Sequence, residues 1–290
     1  MWGDLVMTAF PRTEVGGLSL SRMIIGTNWM MGYSHCTPSK NELILRIAGD
    51  RKGMADILEV FFRAGVDTIM GLIDREPMAD AIKEAEDRTG VKAIVVSTPF
   101  FPVNRDTPAN GFDLDEVNRI LDRQAKLGAA FVMPHQGVTD ALVDRCTREI
   151  RHMSTICAAI RERGMIPGLS THMPESIIYA DETSLDVETY ISMYNAMGFL
   201  MQVEVDWVAS VIRGAKKPVM TIKPMAAGQI RPFQAMNFVW NTIRDCDMVT
   251  VGTLTPHEAK ELIELSLSIL ERRQATMKLQ ETRSKASIKS

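Results

Sequence analysis

Cysteine is scarce in this chain of 290 residues, and the four present, Cys36, Cys146, Cys157 and Cys246, lie far apart. No CxxC pair occurs, so neither a zinc ribbon nor the disulfide framework of a small secreted domain is indicated. The same scatter offers no thiolate cluster for an iron-sulfur cofactor. A reducing, cytoplasmic compartment is the expectation. Positive charge is thin as well: the formal net charge is -3, and no run of Lys and Arg is long enough to follow a phosphate backbone. Nucleic acid is not expected as a partner. No segment approaches the roughly eighteen consecutive apolar residues of a membrane span. The opening MWGDLVMTAFPRTEV carries Asp4 where a targeting peptide would be basic and then apolar. Membrane association is therefore not expected, which leaves a small-molecule substrate as the partner, with the number of subunits unread.

Apolar residues are plentiful instead, at 46% against 24% charged, enough for a large core. Short apolar strands alternate with longer amphipathic stretches, the pattern of a parallel sheet with helical crossovers. The strand candidates are MIIGT from Met23, VDTIM from Val66, AIVVST from Ala93, AFVMP from Ala130, MIPGLS from Met165, VETYISM from Val187, PVMTIK from Pro218 and MVTVG from Met248. Eight strands with helices between them predict a (β/α)8 TIM barrel as one domain over residues 1–273, followed by a polar tail over 274–290. Helical patterns include MADILEVFFRAG, MADAIKEAEDRTG, LDEVNRILDRQAKLG and one long segment from Thr139 to Gly164. Pro174 and Pro256 mark the starts of the fifth and eighth barrel helices. The stretch from Ser34 to Arg51 is an insertion able to hold a short helix near the barrel mouth. The 20 methionines are read as adaptable core filling.

GGLSLSRMIIGTNW, AFVMPHQ, GLSTHMPE, SMYNAM, TIKPMAAGQI and VGTLTPHEA, in that order along the chain, resemble the signatures of the aldo/keto reductase family, in particular its bacterial branch whose members often carry an added iron-sulfur domain. The resemblance runs from GGLSLSRMIIGTNW to VTVGTLTPHEAKELI and takes in AFVMPHQ as a fourth strand ending in histidine. It implies an aldo/keto-reductase-like barrel, NADP or NAD as cofactor, and a proton donor set of Tyr, Lys, Asp and His. Only the His has a counterpart here, His135. Met70 stands where the Asp is expected, Pro99 where the Lys is expected, and GLIDREPM supplies no Tyr.

In such barrels the chemistry sits at the C-terminal ends of the strands. His35, His135 and His172 follow strands one, four and five, Asp74 and Glu76 follow strand two, and Lys223 ends strand seven. The three histidines are candidate catalytic groups. They are also candidate ligands of a divalent metal, since imidazoles from separate strands can leave a fourth position open. The plain alternative is local hydrogen bonding by each. His152 and His257 are read as helix-surface or capping residues. Lys223 is a candidate for holding an anionic group of cofactor or substrate, or for imine formation, with pairing to Glu188 as the structural alternative. Alternation along strand six puts Glu188, Tyr190, Ser192 and Tyr194 on one face, so Tyr190 or Tyr194 is a replacement proton donor if that face is the lumen. Gly252, Thr253 and Thr255 form a strand-to-helix junction suited to a cofactor phosphate. Trp29 and Tyr33 are placed to stack on a ring or simply to pack.

Three functional readings follow. One is a divergent NAD(P)H-dependent oxidoreductase acting on a small oxygenated metabolite. The second is a cofactor-free or metal-dependent lyase or isomerase using the histidine cluster. The third is a barrel that binds a metabolite without catalysis.

Overall fold

A computed structural model describes residues 9–108 and 111–277. Parallel strands at Met23–Gly26, Thr68–Gly71, Ile94–Ser97, Ala129–Val132, Tyr190–Met193, Val219–Ile222 and Met248–Val251 pair side by side with the eighth strand against the first. The remaining strand, fifth in the chain, comes in two pieces. Ile166–Pro167 pairs with the fourth strand and Leu169–Ser170 with the sixth. Gly168 between them donates to Val132, while Leu169 donates to Thr189, so the chain changes partner within one residue and closes the ring. A Cβ at Gly168 would lie 2.6 Å from the end of the Met133 side chain in the lumen and 3.0 Å from the Thr189 carbonyl, so a larger residue there would force Met133 to move. The eight-stranded barrel expected from the apolar runs is therefore the observed fold, with the fifth strand broken.

The N-terminal end is plugged. Arg12–Val15 and Leu18–Ser21 form an antiparallel hairpin turned at Gly16 and Gly17, both at positive φ as a two-residue hairpin turn requires. Val15 and Leu20 from this hairpin join Ile24, Val96, Phe131, Ile191 and the methionines Met70, Met133, Met220 and Met248 in the lumen core. Lumen methionines fill an irregular space, in keeping with their expected role. With one end sealed by the hairpin, an open cavity can form only at the other.

Helices follow each strand, and their caps explain where several begin. Thr255 accepts from the Glu258 amide with Pro256 at the first helical position, so the eighth helix runs Pro256–Leu270 as the sequence signals. The fifth helix starts at Glu175, one residue past Pro174. In the insertion, Thr37 caps an extra helix at Pro38–Ala48. The long helix expected over 139–164 does not form. The chain makes one helix at Gln136–Leu142, a small hairpin of Val143–Asp144 with Glu149–Ile150, and a second helix at Met153–Arg161. The Asp144 carboxylate accepts from the Cys146 and Thr147 amides, and this side-chain-capped turn competes with helix at that point. The expected tail beyond Met277 and the opening segment through Met7 and Thr8 lie outside the described residues. Among the described residues no helix is long and apolar enough to cross a membrane.

Candidate active site

A cavity of about 420 Å³ opens at the C-terminal mouth of the barrel. Its floor is built from strand ends and lumen residues, among them Met70, Ile191, Ile222 and Thr250. Loops after strands one, two, three, four, five and seven raise its walls. His35, His135, His172 and Lys223 all line it, so the convergence expected from their positions in the chain is what the geometry shows. Arg75 also lines it, and no Asp or Glu is among the lining residues described.

Each group is held in a particular way. His135 caps the helix that follows it: its Nδ1 accepts from the Gly137 amide at 3.1 Å. The neutral ring therefore carries its proton on Nε2, the nitrogen left free to donate. The ring stacks on Phe100 with centroids 3.9 Å apart, and the His135 amide donates to the Pro99 carbonyl. Pro99 thus positions the histidine through its backbone. The His172 amide is gripped by both carboxylate oxygens of Asp140, at 3.2 and 3.1 Å, while the hydroxyl of Thr171 donates to the same carboxylate. His35 sits at the rim, exposed, at φ 55. The thiol of neighbouring Cys36 reaches the Ala227 carbonyl, tying the loop after strand one to the loop after strand seven.

Lys223 begins a strained turn. Lys223, Ala226 and Ala227 all have left-handed backbone, at φ 60, 48 and 55. Such conformations cost non-glycine residues on the order of 1 kcal/mol or more each and concentrate at functional sites. The Lys223 carbonyl accepts from Ala226, and its ammonium has no carboxylate partner among the described residues. Glu188, weighed as that partner, instead pairs with Arg161 at 2.7 Å and Lys217 at 3.1 Å.

The electrostatics follow from burial without an acid. Burial pushes the Lys223 amine down to about 8. Burial, then the Lys223 charge and the other two imidazoles, lower His172 to about 3. Burial, Lys223 and Arg75 lower His135 to about 4, and burial and Lys223 also lower His35. The half-buried imidazoles are therefore uncharged near neutrality. Burial raises the Asp140 carboxyl to about 6 against the opposing pull of its hydrogen bonds.

These values set an acid sensitivity. An unfolded chain takes up protons on its imidazoles near 6.5, whereas the folded chain resists until about 4 at His135 and about 3 at His172. The unfolded state binds more protons in that window, so folding stability is full above about 6.5 and declines as the pH falls below it. Asp140 works the other way below about 6, offsetting one of the two histidines. The urea midpoint is expected to fall between pH 7 and pH 5, and His172→Gln should flatten the slope. A midpoint that rises on acidification would contradict the neutral-histidine picture.

Other expected site residues take different places. Tyr194 is buried against Phe238, with ring centroids 5.1 Å apart, in the layer between strands and helices. Tyr190 donates to Asp181 at 2.6 Å in the same layer. Strand six is buried on both faces, and Ile191 belongs to the lumen core. Neither tyrosine reaches the cavity, so the proton-donor assignment to Tyr194 is corrected. Tyr190→Phe should lower stability by about 1–2 kcal/mol through the lost hydrogen bond, read by urea unfolding, and leave ligand binding at the mouth unchanged. Asp74 accepts from Gln124 rather than entering the cavity. Among the described residues no three His, Cys, Asp or Glu side chains stand together as a metal site, so the three-histidine ligand set is corrected too. The rings share a cavity without sharing an ion position.

At the eighth junction two of the backbone amides are already engaged. The Glu258 carboxylate accepts from the Leu254 amide at 2.7 Å and Thr255 caps Glu258, a reciprocal capping box. Thr253 is buried, with no partner for its hydroxyl among the described residues. The Trp29 ring lies against Gly252 and Gly228, within 3.5–3.8 Å of where their Cβ atoms would be, and so covers this junction. Arg75 was missed at the sequence level. It contacts the Tyr33 hydroxyl, and its guanidinium lies 5.5 Å from that ring's centroid, bridging two loops across the rim. Its only signal was a lone Arg in the loop after strand two.

No family model matches the chain, and no curated protein sequence does. Solved structures do match in fold. A putative aldo-keto reductase from Pseudomonas aeruginosa superposes with a TM-score of 0.64 at 15% identity, covering 92% of this chain and 99% of that one. A glycerol dehydrogenase from Gluconobacter oxydans gives 0.55 at 11% identity, covering 93% and 99%. A D-allulose 3-epimerase from a Methylomonas species gives 0.52 at 12% identity, covering 92% and 100%. The fold is thus the TIM barrel that aldo-keto reductases use, and a likeness at this identity speaks to the fold alone.

Proposed function

We propose that this chain is a nucleotide-independent lyase or isomerase acting on a small anionic carbonyl or hydroxycarbonyl compound. The observation that carries the reading is a cavity holding the Lys223 amine and the uncharged rings of His135 and His172, with no carboxylate in its described lining. Such a site attracts an anion and sets one amine that titrates within about a unit of neutral pH beside uncharged imidazoles able to donate hydrogen bonds. The neutral Nε2–H of His135 can donate to a developing oxyanion, while the free-base Lys223 amine accepts a proton from the adjacent carbon. Arg75 at the rim supplies a permanent cation with the fork geometry that suits a carboxylate or phosphate.

A divergent reductase is the weaker reading, because the residues present do not fit the nucleotide. Glu258 takes the Leu254 amide and places negative charge at this junction, and the Trp29 ring packs against Gly252 and Gly228. A divalent metal fits no better, since the histidines are not grouped to hold one.

The test is an equilibrium titration by calorimetry with NADPH, NADH, pyruvate and oxalate. Expected is binding of the small anions that weakens by roughly tenfold or more in Arg75→Met, and no binding of either nucleotide. Micromolar affinity for NADPH with no affinity for the small anions would overturn the proposal.

A further inference from the structure

We propose that Lys223 is a covalent catalyst, its amine condensing with the carbonyl carbon of a small anionic aldehyde or ketone, in the class of 2-oxo acids, to form an imine. This rests on the lyase or isomerase reading and names the chemistry of that same site. Geometry separates the role from that of an anchoring cation. Lys223 lies on the cavity wall at the end of strand seven, its backbone pinned at φ 60 and followed by Pro224 and a turn closed from Ala226 to its own carbonyl. The facing groups are His35, His135, His172 and Arg75, none of them an acid that would hold an ammonium in place. Arg75 already provides a permanent positive charge for the substrate anion. Burial keeps a substantial share of the Lys223 amine in the free-base form at mildly alkaline pH.

The step balances without a cofactor. The Nζ lone pair forms the new C–N bond, and the carbonyl π pair moves to oxygen, which takes a proton from a facing imidazole N–H or from water. The attacking nitrogen gives up one proton to an imidazole. The carbinolamine C–O bond then breaks as the oxygen takes a second proton and leaves as water, and the nitrogen lone pair closes the C=N bond. The resulting iminium accepts the electron pair released when an adjacent C–H or C–C bond breaks, which is the chemistry an isomerase or lyase needs. Hydrolysis by one water returns the amine.

The experiment is reductive trapping of the full chain with cyanoborohydride and either pyruvate or glyoxylate, followed by intact mass and peptide mapping. Hydride reduction of the iminium leaves a secondary amine whose added mass is that of the probe less one oxygen atom. Expected is one adduct per chain, on Lys223, forming on the order of tenfold or more faster at pH 7.5 than on exposed lysines, whose free-amine fraction is far smaller. Lys223→Arg keeps the charge and should abolish that adduct while the other lysines label at their former rate. Absent or unselective labelling, equal in the wild type and in Lys223→Arg, overturns the covalent role. Deuterium exchange at the methyl carbon of pyruvate in D2O separates the two failures. Exchange that persists without trapping, in the wild type and in Lys223→Arg, leaves proton-transfer chemistry standing and removes the imine. Loss of both removes the lyase or isomerase reading as well.

Discussion

Replacing Lys223 by Met is expected to lower turnover of the cognate substrate by a factor on the order of a thousand, about 4 kcal/mol of transition-state stabilisation. Met keeps the length and the apolar stem, so the loss is that of the amine rather than of packing. A second effect separates this from a general loss of structure. The Lys223 charge is one of the causes holding His135, His172 and His35 below the ordinary imidazole range. With the charge gone, all three should titrate higher, though burial, the larger cause, keeps His135 and His172 below 6.5. Imidazole titration followed by NMR reads this without any substrate. If Lys223→Met folds normally and the imidazole titrations stay where they were, Lys223 does not share their cavity in solution, and the site as described is wrong.

At the opposite end of the barrel, Asp247→Ala is expected to destabilise the fold by about 3–5 kcal/mol, the cost of breaking a buried charge pair from one side. Asp247 is fully buried. Its carboxylate accepts from the Val219 amide at 2.8 Å, from the Arg244 amide at 2.9 Å, and from the Arg244 guanidinium at 2.9 and 2.7 Å. Its carbonyl accepts from Arg22, whose guanidinium stacks on Trp240. Removing the carboxylate leaves the Arg244 charge half-buried and frees the loop that leads into strand eight. Urea unfolding measures the loss. Because this network lies away from the mouth, anion binding at 25 °C should persist in the folded fraction. A change under about 1 kcal/mol would mean that water reaches Arg244 and repays the loss.

How much of this could be read from the residues depends on what each layer of structure encodes locally. The eight strands were legible because a parallel strand buried on both faces reads as a nearly continuous apolar run, as in IVVS and MVTV. The same property hid the facing of strand six. When both sides are buried, alternation does not say which side is the lumen, and Tyr190 and Tyr194 turned out to face the helices. The break at Gly168 depends on a side chain from another strand, Met133, and so had no local signature. Asp144 ended the supposed long helix through its turn hydrogen bonds, a signal that is present in the sequence but weaker than the apolar periodicity around it.

The site was legible in outline because barrel topology sends every residue that follows a strand to one end, which brought His35, His135, His172 and Lys223 together. Their roles were not, because an imidazole's partner set is three-dimensional. His135 as a helix cap with Nδ1 engaged, Asp140 gripping the His172 backbone, and Arg75 bridging to Tyr33 all arise between elements distant in the chain. The junction at Gly252, Thr253 and Thr255 shows the converse: the local pattern of an anion site was present, yet the Glu258 carboxylate takes the Leu254 amide and the Trp29 ring packs against Gly252.

The most direct test of the central claim is turnover, followed by NMR, of a panel of small oxo and hydroxy carboxylates and sugar phosphates, each run with and without NADPH and NADH. Expected is a cleaved or isomerised product formed without nucleotide, with the oxidation level of substrate and products balanced and the rate collapsing in Lys223→Met. Turnover that occurs only with a reduced nucleotide, and consumes it mole for mole, would contradict it.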